Sequence, residues 1–369
     1  MCKFLVINPG STSTKIAVFN DDTEMFREVV RHSAEELAPF ENVQAQLDFR
    51  TEAVEKSLAA HGFSIDDADV FVGRGGGLLP VEGGVYAIDE LLCDHASRGM
   101  SGQHPAQLAA QICRRYALRG NKPAFVVNPP DTDEFDDVSR ITGLRDVARE
   151  SHIHALNQKE IALRFCAERG LRYEDTQLVV CHLGGGISVT AHKKGRMIDA
   201  NDVINGSGPF TPNRAGDLPY MRVLDLAFSG KFTKAELVDR FNNNGGLLDH
   251  FGTADLREVR RNADAGDTHA ALVYEAMVYS VAKHAGAMSV ALQGKVDAIL
   301  VTGGIANEQH FTDKLTEYIA WIAEVVVMPG EFELEALAAG ALRAMRGIEA
   351  AKHYTGKRSG CAASANAAP

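Results

Sequence analysis

Three stretches of the chain lead an apolar run into a polar turn that carries glycine. The first is Phe4-Leu5-Val6-Ile7, followed by Asn8-Pro9-Gly10-Ser11-Thr12-Ser13-Thr14-Lys15. The second is Leu178-Val179-Val180-Cys181-His182-Leu183, followed by Gly184-Gly185-Gly186-Ile187-Ser188. The third is Ala298-Ile299-Leu300-Val301, followed by Thr302-Gly303-Gly304-Ile305-Ala306-Asn307. A glycine has no Cβ, so backbone N–H groups can close on an anion, and a Ser or Thr hydroxyl adds a short donor. The chemistry open to such turns is therefore phosphate binding. One turn of this kind serves any tight hairpin equally well. Three of them, each directly after an apolar strand, point instead to a phosphate site. The chain has no Walker A run and no Gly-x-Gly-x-x-Gly with a following acid, which disfavours those two nucleotide folds.

The elements that must position these turns follow from the same pattern. The first two turns are flanked by strands on both sides and read as β-hairpins, whereas the third leads into a helix over about residues 309–324. Recurrence of strand, glycine turn and strand near both ends of the chain predicts two similar α/β domains produced by duplication. Apolar residues recur at helical spacing over residues 106–116, 158–169 and 274–292, and a last helix is expected from Glu333 to Met345. The expected boundary lies near residue 150. Residues 1–150 with the helix over about 333–350 would form an N-terminal domain, and residues 151–332 a C-terminal one. Residues 356–369 are small and polar and are expected to be a disordered tail.

The chain's 369 residues are 45% hydrophobic and 24% charged, as in an ordinary globular protein with room for a large core. Its 38 Lys and Arg against 49 Asp and Glu leave a net charge of −11. The long-range field therefore repels nucleic acid and anionic membrane, and neither is an expected partner. Any phosphate must be caught locally. The six cysteines are scattered without a Cys-x-x-Cys pair, as expected of reduced thiols in a cytosolic protein. The opening apolar run is too short for a signal peptide, and no segment approaches the roughly 20 apolar residues of a spanning helix.

Beyond the three turns, Val72-Gly73-Arg74-Gly75-Gly76, His154-Ala155-Leu156-Asn157-Gln158-Lys159, Asn213-Arg214-Ala215-Gly216-Asp217 and Gly252-Thr253-Ala254-Asp255-Leu256-Arg257-Glu258-Val259 stand in order along the chain. Together with the turns they resemble the acetate/butyrate kinase family, and within it the butyrate kinase form, from residue 4 to about residue 347. The resemblance implies an α/β fold of duplicated actin/sugar-kinase/Hsp70-like (ribonuclease H-like) domains facing an interdomain cleft. It further implies transfer of the γ-phosphoryl group of ATP to a short-chain carboxylate, giving an acyl phosphate and ADP, with Mg2+. A homo-oligomer, dimer or higher, is also implied.

Such a reaction brings two anions together, so cations must neutralise the transferring group. Arginine suits this because its planar fork bridges carboxylate and phosphoryl oxygens with parallel hydrogen bonds. The matched motifs imply that Arg74 and Arg214 do so, with His154 and Asn8 as further catalytic groups. Ser11, Lys15, Gly184, Gly185 and Gly186 would contact phosphates, and His182, counted with the nucleotide site, would support the second phosphate turn. Asp255, Leu256 and Arg257 would lie beside the nucleoside, with Gly304, Ile305 and Asn307 on the other wall. Without the resemblance, a loop arginine is a surface residue, a histidine ahead of a helix is a cap or core group, and residues 255–258 are a charged helix start.

Two positions depart from the family pattern. Asn128 stands where an acid is expected, with Asp131 or Asp133 as substitutes from the same loop. Near the C-terminus Phe332 occupies the metal-linked position, so Glu333, then Glu331, are the expected metal ligands. Gly75-Gly76-Gly77 beside Arg74 would leave room for a longer acyl tail, or serve only to turn the loop. An acetate or propionate kinase, or a nucleotide-dependent sensor or ATPase, remains the alternative.

Overall fold

The computed structural model describes residues 1–358, so Cys361 and the expected tail from residue 359 lie outside the described residues. From the N-terminus the chain forms β1 (Lys3–Pro9), β2 (Ser13–Asn20), β3 (Thr23–Arg31), helix α1 (Leu47–Ala60), β4 (Val70–Gly73) and β5 (Val85–Ala87). Helices α2 (Glu90–Arg98) and α3 (Leu108–Gly120) and strand β6 (Ala124–Val127) follow. Next come α4 (Ala155–Glu168), β7 (Gln177–Leu183), β8 (Ile187–Lys193) and β9 (Arg196–Ala200). They lead to α5 (Leu256–Asp264), α6 (Thr268–Ala291), β10 (Ala298–Thr302), α7 (Gln309–Ile319) and β11 (Glu324–Val327). The chain closes with α8 (Glu333–Met345) and β12 (Lys352–His353).

Two compact units result: Met1–Glu134 together with the chain from Phe332, and Phe135–Glu331. The first boundary falls before residue 135 and not near residue 150. Residues 135–150 hold to β9: Asp136 N and Ser139 Oγ both donate to the Ile198 carbonyl, and Arg149 pairs with Asp199 at 2.9 Å. Phe135 packs with Ile153, Ala155, Met197 and Ala200.

The first unit is built on a seven-stranded sheet of order β12-β5-β6-β4-β1-β2-β3, and the second on a five-stranded sheet of order β11-β10-β7-β8-β9. Both repeat one plan. A meander of three antiparallel strands, β1-β2-β3 or β7-β8-β9, is extended on its first strand by parallel β4 and β6, or β10 and β11. The turn after β1 is thus equivalent to the turn after β7, and the loop after β4 to the loop after β10. All four leave the carboxyl ends of their strands, where open α/β sheets bind ligands.

Strands β1 and β7 are apolar on both faces, as sheet centres require. In the first unit α1 and α3 cover Leu5, Ile7, Ile16 and Val18, while α8 packs on β1, β4 and β6. Gly340 lets α8 approach β6, because a Cβ there would lie 2.4 Å from Val127 Cγ1. In the second unit α6 runs along β7 and β8 and buries Val273, Met277, Val281 and Ala285. No helix of the described residues is long and apolar enough to cross a membrane.

Candidate active site

In the first unit the β1–β2 turn, the loop after β4 and the start of α8 enclose a cavity of about 250 Å³. Asn8, Lys15, Arg74, His104, Pro130 and Glu333 line it. Asn8 is at the buried end of β1, and Lys15 is its antiparallel partner on β2. Asn8 Nδ2 and Lys15 Nζ both donate to Glu333 Oε2 at 2.9 Å. Burial pushes the Glu333 carboxyl up, but Arg74, Lys15 and Asn8 outweigh it and hold the group below the usual carboxylate range. Glu333 is therefore an ionised carboxylate inside a cationic pocket.

Arg74 leaves the end of β4 and donates from Nη1 to the Asn128 carbonyl at 3.2 Å. Burial lowers its basicity, while Glu333 and Asp131 oppose that shift. Ser11 stands exposed on the turn. The cavity thus sets two cations against one ionised carboxylate, and the excess suits a small anion.

Several first-unit expectations change on contact with the geometry. Asn128 takes φ 39°, and its Oδ1 accepts from Gly84 N at 2.7 Å, so its side chain serves a loop. Asparagine tolerates that left-handed backbone better than most residues. Asp131 accepts from Ser101 Oγ and lies within Arg74's electrostatic reach, and its burial raises the carboxyl to about 6. Gly75 and Gly77 have φ of 70° and 71°, and added Cβ atoms would meet Val126 and the 96–99 backbone at 3.0–3.2 Å. A left-handed backbone and close neighbours account for both glycines, so they carry no argument about acyl length.

His104 has no place in the sequence motifs, yet it lines the cavity. Its Nδ1 accepts from Ala106 N, which leaves the proton of a neutral ring on Nε2. Burial, reinforced by Arg74 and Arg50, lowers its pKa. The sequence signal, a histidine just before Pro105 at a helix start, reads as an ordinary cap. Arg50 was likewise invisible: wholly buried on α1, it donates to the Ser11 and Ser13 carbonyls and to Thr14 Oγ1 from beneath the turn.

In the second unit residues 184–186 join β7 to β8, with Gly185 exposed at the tip. Thr211 Oγ1 donates to the Gly185 carbonyl at 2.7 Å and accepts from Arg214 N at 3.0 Å, tying the arginine loop to the glycine turn. A Cβ on Gly186 would lie 3.3 Å from Arg214 Nη1 and 3.1 Å from His154 Cε1. Arg214, His154, His182 and the triple-glycine turn are therefore one cluster. Arg214 Nη1 also donates to the Val203 carbonyl, and burial lowers its basicity. His154 precedes α4 without capping it; Nδ1 instead meets Ser188 Oγ at 2.9 Å. Its ring stacks on His182 with centroids 3.9 Å apart.

The expected nucleoside walls are less complete. Asp255 caps α5 and pairs with exposed Arg257, the behaviour of a charged helix start. Leu256 is buried in the core, which leaves only its backbone for a ligand. Asn307 donates to the Gly304 carbonyl at 3.0 Å, beside partly exposed Ile305. For a metal, no group of three His, Cys, Asp or Glu is arranged around one point among the described residues. Glu331 Oε1 lies 3.5 Å from where a Gly184 Cβ would sit, and Glu333 already receives Lys15 and Asn8. Of the two expected ligands this leaves Glu331, and a single carboxylate would serve magnesium only if the ion came with phosphates and kept most of its waters.

A model of the acetokinase family matches residues 149–322. Over 350 residues the chain is 45% identical to a Listeria monocytogenes protein named "Probable butyrate kinase", covering 95% of this chain and 99% of that one. The chain belongs to the acetokinase family. Solved structures agree on the fold. An acetate kinase from Porphyromonas gingivalis superposes with a TM-score of 0.75 at 19% identity, covering 94% of this chain and all of that one. A propionate kinase from Francisella tularensis gives 0.71 at 18% identity, with 92% and 99% covered. The fold is accordingly the duplicated actin/sugar-kinase-like one.

Proposed function

We propose that this acetokinase-family chain is a carboxylate kinase of the butyrate kinase type, transferring the γ-phosphoryl group of ATP to a short-chain or branched carboxylate. A carboxylate oxygen forms the new P–O bond, the bond to the ADP oxygen breaks, and ADP leaves with its electron pair. The nucleophile is already an anion, so the step needs no general base; it needs positioning and charge neutralisation.

The observation that carries this reading is the small first-unit pocket, in which Lys15 and Arg74 outnumber one ionised carboxylate in a chain of net charge −11. At about 250 Å³ it lies below the roughly 300–1,000 Å³ of drug-sized sites and suits a short acid. Support for the butyrate form comes from the names of relatives 44–45% identical over nearly the whole chain. The second-unit turn would receive the ATP phosphates against residues 184–186, with Arg214 stabilising the transferring group. Glu331 would hold the nucleotide's magnesium ion, which neutralises phosphate charge when bound; Glu333 keeps Asn8 and Lys15 in place. A cytoplasmic enzyme is the corresponding setting.

The test is hydroxamate trapping of acyl phosphate from ATP and a series of C2 to C5 acids. We expect product, with kcat/KM highest for the C4 and branched C5 acids. Neighbouring chain lengths should differ by about ten- to two-hundredfold at most, since a methylene is worth only about 1–3 kcal/mol. Product with none of the acids, or full activity in Arg214→Ala, would overturn the proposal. A peak at the C2 or C3 acid would make the chain an acetate or propionate kinase.

A further inference from the structure

We infer that the second unit holds His154 and His182 as a stacked pair of neutral imidazoles, each with its proton on Nε2 and that edge toward the glycine turn. Gln158 and Asn157 are the positioning residues that set those tautomers. The value of the arrangement for catalysis rests on the proposed function; the arrangement itself does not.

The direction of each hydrogen-bond chain is fixed by a backbone carbonyl, which can only accept. The Gln158 amide atom 3.0 Å from the Ser188 carbonyl must be Nε2, and the same nitrogen donates to Ser188 Oγ at 2.6 Å. The His154 backbone N–H reaches the same hydroxyl at 3.5 Å. With both lone pairs engaged, Ser188 turns its own proton to His154 Nδ1 at 2.9 Å, which leaves the ring proton on Nε2. Behind Gln158, its Oε1 accepts from His192 Nε2 at 3.1 Å, and His192 Nδ1 accepts from the Tyr173 hydroxyl at 2.8 Å. His192 is wholly enclosed, and burial and Lys159 push it down to about 3, so the ring is neutral; because Gln158 Oε1 can only accept, the one ring proton is on Nε2 and Nδ1 is the acceptor.

A second chain serves His182. The Thr302 hydroxyl donates to the Gly330 carbonyl at 3.2 Å, so its oxygen accepts from Asn157 Nδ2 at 3.4 Å. The other proton of Nδ2 goes to His182 Nδ1 at 2.9 Å, and again Nε2 keeps the ring proton. Both Nε2 atoms face the turn: a Cβ on Gly186 would lie 3.4 Å from that of His154, and one on Gly184 3.4 Å from that of His182. Two neutral N–H donors at this place serve an anion whose charge grows during transfer, and they add no second cation beside Arg214. Two imidazolium rings 3.9 Å apart would repel each other.

Long-range 1H–15N spectra of the full chain labelled at histidine, recorded at pH 8, test the inference. His154→Gln and His182→Gln variants assign the two rings by the signals they remove. Both rings are expected as Nε2–H tautomers in the wild-type chain, and Nδ1–H at either one overturns the inference. In Gln158→Glu the carboxylate has no N–H to offer, the Ser188 proton turns to it, and His154 is expected to move to Nδ1–H. The kcat for acyl phosphate formation should fall about ten- to a hundredfold, with KM for ATP within about threefold. An unchanged tautomer and kcat in Gln158→Glu would remove Gln158's role. The spectra need no substrate, so Nε2–H signals without any hydroxamate product would sink the proposed function and leave the tautomers standing.

Discussion

Two residues in the first-unit pocket show how a side chain's type and its surroundings divide the work. In the proposed carboxylate site Arg74 would meet an anion by shape as well as charge, because a guanidinium fork can hold two oxygens; in the structure its Nη1 is on the Asn128 carbonyl. Arg74→Lys keeps the charge and loses the fork; kcat/KM for the carboxylate is expected to drop about a hundredfold in the hydroxamate assay, with the melting temperature little changed. Asp131 makes the opposite kind of case. Its carboxyl is raised to about 6 by burial, so the folded chain binds that proton more tightly than the unfolded chain does. Its contribution to stability is therefore full below about pH 4 and lost as pH rises through about 6. Asp131→Asn should stabilise the protein at pH 7 by up to about 3 kcal/mol, and the gain should vanish near pH 4 in denaturant titrations. A gain that persists at pH 4 would show that ionisation is not the cause. Arg74, Lys15 and Asn8 could be singled out in the sequence only through motifs that resemble the acetokinase family, since a glycine turn by itself leaves a loop arginine as a surface residue. His104 could not, since a histidine ahead of a proline carries no mark of the cavity it enters.

At the scale of elements, what matters is which helix braces which turn. The β1–β2 turn is held from below by Arg50 of α1, which has no carboxylate partner among the described residues and whose basicity burial lowers to about 10. Arg50→Met fills much of the space and leaves the Ser11 carbonyl without that donor. A loss of about 2 kcal/mol is expected, together with faster amide exchange confined to the turn. Helix α8 offers a contest between two effects. Gly340→Ala improves helix propensity by about 1 kcal/mol, but the new methyl would sit 2.4 Å from Val127 Cγ1. Overpacking of this kind costs about 1–3 kcal/mol, so the variant should be destabilised. Adding Val127→Ala should recover most of the loss, and a double mutant no better than Gly340→Ala would rule out the contact as its source. The hairpins and the last helix could be read from periodicity, but Leu256 could not be placed: its motif suggested a ligand wall, and packing drew the side chain into the core.

For the whole molecule the decisive fact is chain order. The second unit is one uninterrupted segment, 135–331, with its own core around α6, whereas the first is assembled from both ends of the chain. Expressed alone, residues 135–331 should fold and melt cooperatively by circular dichroism. Residues 1–134 alone should not, because they lack α8, whose Leu334, Leu337, Ala341 and Leu342 are buried in the first unit. Burying such a Leu is worth about 1.5–3 kcal/mol, comparable in sum with the whole stability of a domain. Cooperative melting of 1–134 would contradict this.

Local sequence determined a good deal by itself: apolar runs made strands, glycine-rich polar stretches made turns, and their repetition betrayed two copies of one α/β plan. These are short-range properties, set by side-chain period and backbone freedom, and they survive in a string of letters. Tertiary structure alone decided that Glu333 is shared by Asn8 and Lys15, more than 300 positions away, and that Asn128 spends its amide on Gly84. It also decided that buried Gln158 reaches Ser188 and that buried Asn157 reaches His182. Such contacts depend on which strands become neighbours and which polar atoms must find partners once water is excluded, and spacing along the chain encodes neither.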